Sequence, residues 1–236
     1  MVSIGIDIGS VCAKAVAYDE RIIGRLIIPT GWNPRQTAEE LYERLVSENE
    51  IKKGEITSIV ATGYGRVSVP FASGKVTEIT CHAKGAAYLD PDARTVIDVG
   101  GQDSKVISID EKGSVLEFMM NDKCAAGTGR FLQVMANVLE TEVDQLDALA
   151  SNSAPRDINS MCAVFAESEV ISLLSQGTSK EAVASGILHS ISNKILHMTS
   201  RITIREKVLF TGGVASNTMI REIISKKLKC RVLTHK

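Results

Sequence analysis

Two stretches of the sequence carry an aspartate, a glycine two residues later, and then a lysine. The first stretch contains Asp7, Gly9 and Lys14. The second contains Asp98, Gly100 and Lys105. A tight glycine turn leaves backbone N–H groups open, so phosphate oxygens can approach it closely. The aspartate would hold Mg²⁺ through water or orient an attacking water, and the lysine would neutralise phosphate charge. The pattern predicts two phosphate-binding hairpins.

A third glycine turn occurs late in the sequence. Gly212 and Gly213 follow the apolar stretch 208–211 and precede a segment with helical periodicity. The first N–H groups of a helix are unsatisfied and favour anions. Each turn alone is weak evidence, because most glycines that end strands are structural. The three turns together favour a nucleotide-binding site.

Two of the five cysteines lie where helices are predicted to begin. Cys124 shortly precedes a Gly-Thr-Gly helix start, and Cys162 begins a second apolar helix pattern. The partial positive charge of a helix N-terminus favours a thiolate, or an anionic iron–sulfur cluster. One chain offers only two such thiols, so a cluster with four thiolates would need a two-fold symmetric dimer. On the residues alone, a buried structural thiol or a nucleophile is the favoured interpretation.

The elements that would position these residues alternate between strand and helix patterns. Strand patterns cover residues 2–10, 13–19, 21–28, 56–61 and 208–211, and helix patterns cover residues 34–49, 78–89, 180–202 and 217–227. Residues 93–111 align without gaps on residues 2–20, so that Lys105 matches Lys14. This internal repeat predicts two related domains, residues 1–92 and residues 93–236.

The composition is that of an ordinary folded chain. The 236 residues are 44% hydrophobic, and 27 basic against 28 acidic residues give a net charge of −1. A nucleic-acid partner is therefore not expected, and neither a membrane span nor a secretory signal is visible, which favours a cytoplasmic location. The cysteines are odd in number and widely spaced, so no disulfide framework is expected, and their residue type predicts that most are buried.

The turns and the repeat resemble the actin/Hsp70/sugar-kinase superfamily, whose members have two similar domains hinged around ATP. Two segments are more specific, NDKCAAGTGRF at residues 121–131 and CAVFAESEV at residues 162–170. They resemble the activators (component A) of 2-hydroxyacyl-CoA dehydratases, in the BadF/BadG/BcrA/BcrD ATPase family, which includes ATPase subunits of benzoyl-CoA reductases. Further segments that match this family are residues 5–10, 61–66, 96–103 and 211–215.

The resemblance implies an α/β fold with two repeated actin-like (ribonuclease H-like) subdomains around a nucleotide cleft. It implies a homodimer whose subunits share one 4Fe–4S cluster, held by Cys124 and Cys162 of each chain. It also implies ATP or ADP with Mg²⁺, a ferredoxin or flavodoxin as electron donor, and a dehydratase (component D) or related reductase as electron acceptor. The implied function is ATP-dependent one-electron donation.

The resemblance also carries site residues over to this sequence. The candidate catalytic residues are Asp7, Asp98 and Gln102. The candidate nucleotide-binding residues are Gly9, Ser10, Val11, Cys12, Ala13, Lys14, Gly100, Gly101, Gln102, Ala126, Gly127, Gly212, Gly213 and Val214. The remaining cysteines, Cys12, Cys81 and Cys230, have no ligand role in this interpretation and are treated as packing residues. Family members usually continue beyond the position of Lys236 with a Gly-Ala-rich helix that helps to close the nucleotide site.

Several alternatives remain at this level. The chain could be the ATPase subunit of a benzoyl-CoA reductase or the activator of another iron–sulfur enzyme. A small-molecule kinase and a cluster-free actin-like regulatory protein belong to the same superfamily. A zinc site at Cys124 and Cys162 with His82 as a further ligand is another possibility, although His82 is expected to be an ordinary helix residue with a satisfied ring.

Overall fold

The computed structural model describes residues 1–159 and 162–235, and the chain is an α/β protein. Its contacts divide it into two compact units, Met1–Cys81 and His82–Lys236, whereas the sequence-based boundary lies between residues 92 and 93. The last residue of the predicted second domain, Lys236, lies outside the described residues. In the described part of the chain, no helix combines the length and the apolar character needed to cross a membrane.

The first unit is a five-stranded mixed sheet with one long helix. Its elements are β1 (Val2–Ile8), β2 (Cys12–Asp19), β3 (Arg21–Pro29), α1 (Pro34–Glu48), β4 (Ile56–Thr62) and β5 (Gly74–Lys75). The strand order is β3-β2-β1-β4-β5, with β1 antiparallel to β2 and parallel to β4. The carboxyl ends of β1 and β4 therefore meet at one edge of the sheet, where Asp7 pairs with Thr62 in the register.

Alternating burial along β1 explains how this sheet packs. Ile4, Ile6 and Ile8 are buried on one face, and they form one core with Leu41 and Leu45 of α1. A strand with a period of two presents every second side chain to the same side. Asp7 lies between two of these isoleucines and therefore belongs to the opposite face, which leaves its carboxylate outside the core.

The second unit has the larger core. Its elements are α2 (Glu78–Leu89, which starts in the first unit), β6 (Thr95–Val99), β7 (Ser104–Ile109), β8 (Val115–Asn121), α3 (Gly129–Val138), α4 (Leu146–Ala150), α5 (Ala163–Ser175), α6 (Lys180–Thr199), β9 (Val208–Thr211), α7 (Thr218–Leu228) and β10 (Val232–Leu233). Every residue of β6 and β7 is buried. Strands that are buried on both faces need cover on both sides of the sheet.

The two sheets share one topology, as the internal repeat predicts. The second sheet has the strand order β10-β9-β6-β7-β8. When this order is read from β8 to β10, antiparallel and parallel pairs follow one another as they do from β3 to β5 in the first sheet. The β1–β2 hairpin pairs Asp7 with Lys14, and the β6–β7 hairpin pairs Asp98 with Lys105. The sequence patterns do not predict β8 or α4, whose apolar patterns are short or alternate weakly.

An ion pair joins the end of α2 to the start of β9. Asp90 Oδ2 lies 2.7 Å from Lys207 Nζ, and the hydrogen bond from Lys207 lowers the pKa of the Asp90 carboxyl below its usual value. A lowered folded-state pKa adds stability above the unfolded pKa and loses it as the pH falls through the folded value. We expect Lys207→Met to lower the free energy of unfolding by about 0.5 kcal/mol near pH 7. Urea titrations should show this difference shrinking below about pH 4.

Candidate functional site

The turn between β1 and β2 (residues 9–11, the first turn) carries an open ion pair. Asp7 Oδ2 lies 2.9 Å from Lys14 Nζ, and the two side chains are 30% and 46% exposed. A Cβ on Gly9 would lie 2.7 Å from the carbonyl oxygen of Cys12, so the turn closes this tightly only with glycine. Ser10 and Val11 are exposed at its tip. The first turn thus presents backbone, a carboxylate and a cation to solvent together.

Two neighbouring loops brace the first turn. Thr30 Oγ1 donates to the carbonyl of Gly9 at 2.7 Å, and Thr30 N–H donates to that of Val11 at 2.9 Å. On the other side, the N–H of Gly65 donates to the carbonyl of Ile8 at 2.8 Å. Hydrogen bonds to the backbone on both sides of the turn restrict its movement, which suits a site that must hold phosphate oxygens.

Gly63 sets the space available to Asp7. Its φ is +84°, and a Cβ there would overlap Asp7 Oδ1 and the carbonyl of Ile8. We expect Gly63→Ala to cost about 2–4 kcal/mol of stability, because it adds left-handed strain and a steric clash. On the sequence-based expectation that Asp7 serves ATP hydrolysis, the ATPase rate should fall further than the folded fraction does, since the Asp7 carboxylate must shift. Thermal unfolding and ATPase rates measured together check this, and Gly54→Ala, where a Cβ meets nothing within 4 Å, is the control.

Asp98, the counterpart of Asp7 in the repeat, is enclosed. Its side chain is 4% exposed, and Oδ1 accepts a hydrogen bond from Thr211 Oγ1 at 2.9 Å. Oδ2 lies 3.5 Å from Lys105 Nζ and 3.4 Å from His82 Nε2. Lys105 is itself buried and also pairs with Asp103 at 2.8 Å. A buried charge is tolerated when it is paired and hydrogen-bonded in this way.

The two repeated aspartates therefore have different surroundings. Asp7 pairs with one half-exposed lysine, whereas Asp98 is held by groups from α2, β7 and β9. His82 is a helix residue, as expected from the sequence, and its Nε2 lies 3.4 Å from the Asp98 carboxylate. Of the two carboxylates, that of Asp7 is the more accessible to a hydrated ion or an attacking water.

Three glycine-containing segments meet at one edge of the second sheet. In the turn between β6 and β7 (residues 100–103, the second turn), the carbonyls of Gly100 and Gly101 accept from the N–H groups of Gly129 and Arg130, both at 2.8 Å. The third segment follows β9 (residues 212–214, the glycine loop). Gly212 has a φ of +86°, and a Cβ there would overlap the carbonyl of Val99.

The remaining candidate nucleotide residues differ in exposure. Gln102, Gly212 and Gly213 are exposed, while Val214 is buried. Ala126 and Gly127 are buried in a 3-10 turn between Cys124 and α3. In β2, Ala13 is buried and Cys12 is half-buried. The structure thus brings the second turn, the start of α3 and the glycine loop together within the second unit. The residues of the first turn lie in the first unit.

The cysteines do not follow the burial expected from their residue type. All five lie within the described residues without disulfides; Cys124 and Cys162 are exposed, and the others are half-buried. The expectation that most are buried is therefore wrong, because it averages over proteins and ignores the helix starts at which these two thiols sit. Burial, with a contribution from the Glu206 charge, raises the pKa of the Cys230 thiol, which suits a packing residue.

Each of the two exposed thiols lies at an N-cap position. Cys124 is the N-cap of the 3-10 turn before α3, and Cys162 is the N-cap of α5. Neither N-cap side chain accepts a capping hydrogen bond from its own helix. Within residues 1–159 and 162–235, no group of three or more histidine, cysteine or acidic side chains is placed to hold a metal ion. Two accessible thiols per chain fit a four-thiolate cluster shared by two chains.

Sequence reasoning assigned no role to three residues that shape the site. Thr211 fixes Asp98, Gly63 makes room for Asp7, and Asn121 holds the backbone of Cys124 through hydrogen bonds of 2.8 and 3.1 Å. The signal for Asn121 was available, because an asparagine three residues before a turn residue commonly caps it. The contacts of Thr211 and Gly63 are long-range and leave no local pattern.

The chain matches the BadF/BadG/BcrA/BcrD ATPase family over residues 4–236. The activator of lactoyl-CoA dehydratase from Anaerotignum propionicum is 43% identical, over 99% of this chain and 91% of that protein. The (R)-2-hydroxyglutaryl-CoA dehydratase activating ATPase from Acidaminococcus fermentans is 42% identical, over 98% of this chain and 90% of that protein. A benzoyl-CoA reductase subunit from Thauera aromatica is 32% identical, over 97% of this chain and 83% of that protein.

Solved structures of dehydratase activators have the same fold as this chain. Component A of the Acidaminococcus fermentans (R)-2-hydroxyglutaryl-CoA dehydratase superposes with a TM-score of 0.94 at 39% identity, covering 100% of this chain and 92% of that one. The activator of the 2-hydroxyisocaproyl-CoA dehydratase from Clostridium difficile, solved with bound ADPNP, has a TM-score of 0.92 at 38% identity, covering 100% and 89%. The α/β actin-like ATPase fold expected from the sequence is thus confirmed.

Proposed function

The chain belongs to the BadF/BadG/BcrA/BcrD ATPase family, and we propose that it is the ATP-dependent reductive activator of a 2-hydroxyacyl-CoA dehydratase. In this role a homodimer binds one 4Fe–4S cluster through Cys124 and Cys162 of each chain. It passes single electrons from a ferredoxin or flavodoxin to the dehydratase in the cytoplasm. Three relatives that are activators of such dehydratases, at 39–43% identity over nearly the whole chain, support this proposal.

The main support for coupling between the nucleotide and the cluster is the backbone connection between Cys124 and the second turn. The segment that starts with the accessible Cys124 thiol ends at Gly129 and Arg130, whose N–H groups are hydrogen-bonded to the second turn at 2.8 Å. A thiol suited to cluster binding is therefore only five residues from Gly129, whose N–H is hydrogen-bonded to the second turn. A shift of that turn on ATP binding or hydrolysis would move the start of α3 with it.

The candidate nucleotide-binding residues would have different roles, according to how exposed each of them is. Lys14 would neutralise phosphate charge, and Asp7 would hold hydrated Mg²⁺ or orient the attacking water. Gln102, which is exposed on the second turn, would contact the phosphate or the water. Asp98, paired with Lys105, His82 and Thr211, would stabilise the second turn through Lys105, which also pairs with Asp103 of that turn. The backbone of the glycine loop would offer a further approach to the nucleotide.

The thiols suit a shared cluster because of where they lie. Cys162 lies at the N-terminus of α5, where the helix dipole favours negative charge, and Cys124 lies exposed at the N-cap of the 3-10 turn before α3. When bound, a 4Fe–4S cluster would supply a one-electron redox centre. Lowering a one-electron potential by about 0.3 V requires about 7 kcal/mol, at about 1.4 kcal/mol per 59 mV. Coupling of the cluster potential to ATP binding and hydrolysis would supply energy on this scale.

A redox titration tests the proposal. Anaerobically reconstituted protein should bind about four iron atoms per dimer, and its midpoint potential should differ between ADP and a non-hydrolysable ATP analogue by about 60 mV or more. A colourless, iron-free protein after anaerobic reconstitution would instead support the kinase or cluster-free alternatives. Equal potentials, together with equal affinity for the dehydratase in both nucleotide states, would contradict ATP-driven electron transfer.

A benzoyl-CoA reductase is the second candidate acceptor. The 32% identity to the Thauera aromatica reductase subunit favours it over unrelated acceptors, but the dehydratase activators are more similar. The two acceptors are distinguished by mixing the reduced protein, with ATP, with each purified enzyme. Only the true partner should be reduced in step with ATP hydrolysis.

A further inference from the structure

We propose that Asn121 is a positioning residue for Cys124, and that Cys124 responds to the nucleotide more strongly than Cys162 does. The two cysteines would serve as chemically equivalent ligands, yet among the described residues the backbone hydrogen bonds to the second turn come from the segment that follows Cys124. The inference rests on the proposed function, because it takes nucleotide to bind at the second turn and Cys124 to be a ligand.

The side chain of Asn121 holds the backbone of Cys124 at two points. Its Oδ1 accepts from the N–H of Cys124 at 3.1 Å, and its Nδ2 donates to the carbonyl of Cys124 at 2.8 Å. The partners define the orientation of the amide, since a backbone N–H needs an acceptor and a carbonyl needs a donor. One planar amide thus fixes the peptide groups on both sides of the Cα that carries the thiol.

The same amide reaches the β6–β7 hairpin. Nδ2 of Asn121 also donates to Ser104 Oγ at 3.4 Å, and the two residues are paired in the β7–β8 register. Ser104 follows the second turn directly and is 1% exposed, and its hydroxyl donates to Met198 Sδ at 3.5 Å. One end of the Cys124 segment (residues 121–130) is therefore anchored next to the second turn.

The other end of the Cys124 segment is anchored on the turn itself. The N–H groups of Gly129 and Arg130 donate to the carbonyls of Gly100 and Gly101 at 2.8 Å. A Cβ on Gly129 would lie 3.1 Å from the carbonyl oxygen of Gly100, so the two backbones approach more closely than most Cβ contacts permit. Cys124 lies between the two anchors, and a displacement of the second turn reaches it from both sides.

Cys162 has a different support. Its carbonyl accepts from the N–H of Ala166 at 2.9 Å, within its own helix α5. The nearby Asn159 N–H donates to Glu169 Oε1 of α5 at 3.0 Å. The backbone of Cys162 therefore follows α5, which packs on α3 and α6. Among the described residues, a movement of the second turn reaches Cys162 through the packing of α5 on α3 and α6.

The test measures thiol alkylation in the full chain without cluster, at one pH, using iodoacetamide and peptide mass spectrometry. Rates are compared with saturating ADP and with a saturating non-hydrolysable ATP analogue. In the wild type, the Cys124 rate should differ between the two nucleotides by about fivefold or more, and the Cys162 rate by less than about twofold. Cys230, half-buried and with a raised pKa, serves as an internal reference.

Matched variants identify the residue that transmits the change. Asn121→Ala should bring the two Cys124 rates to within about twofold of each other, while nucleotide affinity stays within about threefold. Asn137→Ala, an exposed asparagine on α3, should keep the wild-type difference. Ser104→Ala removes only the anchor on β7 and should reduce the difference in part. Thermal unfolding of each variant separates lost coupling from lost folding.

The outcomes separate this inference from the proposed function. Equal nucleotide effects at both cysteines, or a full Cys124 difference retained in folded Asn121→Ala, would overturn it. If Asn121→Ala fails to fold, Ser104→Ala takes its place in the test. A full difference between the Cys124 alkylation rates with the two nucleotides in Ser104→Ala would likewise overturn the inference. Because the assay uses cluster-free protein, a chain that never takes up iron would contradict the proposed function and leave the thiol result standing.

Discussion

Replacement of Cys162 by serine is expected to reduce the iron content of anaerobically reconstituted protein to background. A serine hydroxyl stays protonated near neutral pH and is a poor ligand for a thiolate-bound cluster. Two of the four thiolates of the proposed dimer site are lost at once, because each chain supplies one copy. Electron transfer to the dehydratase should disappear, whereas ADP binding should stay within about twofold of wild type.

The fold should survive this change. Cys162 is exposed at the N-cap of α5, and surface substitutions of this kind usually change stability by less than about 0.5 kcal/mol. Cys81→Ser is the matched control, since Cys81 is half-buried and has no ligand role in the proposal. Iron, sulfide and visible absorption are measured for both variants. A full cluster content in Cys162→Ser would show that Cys162 is not a ligand.

The second large effect concerns hydrolysis. Asp7→Asn should lower the ATPase rate by about 100-fold or more, because an amide neither holds Mg²⁺ through water nor orients the attacking water as a carboxylate does. Nucleotide affinity should change only a few-fold, since Lys14 and the backbone of the first turn remain. Single-turnover hydrolysis and equilibrium binding measure the two quantities separately.

Asp19→Asn is the control for this variant. Asp19 ends the same strand, β2, and its exposed carboxylate lies 3.2 Å from the N-terminal amine. It carries the same charge change at the far end of the hairpin and should hydrolyse ATP at the wild-type rate. If Asp7→Asn also hydrolysed ATP at that rate, the catalytic role would pass to the other candidates, Asp98 and Gln102.

Much of the fold follows from local patterns. The alternation of apolar residues in residues 2–8 and the repeat at residues 93–111 predict two related hairpins, and both form with an aspartate opposite a lysine. These features depend on backbone pairing across short turns, which residues close in sequence determine. The specific segments around Cys124 and Cys162 likewise indicate the family without any knowledge of packing.

Local sequence thus accounts for the pair of hairpins, the glycine turns and the helix starts that carry the two cysteines. The differences between these parts come from long-range packing. Asp7 and Asp98 match in the repeat, but Asp98 is enclosed by His82 and Thr211, which come from distant parts of the chain. The exposure of the thiols and the double anchoring of Cys124 also arise from long-range contacts. Burial and hydrogen-bond partners depend on which elements pack together, and no local pattern records that.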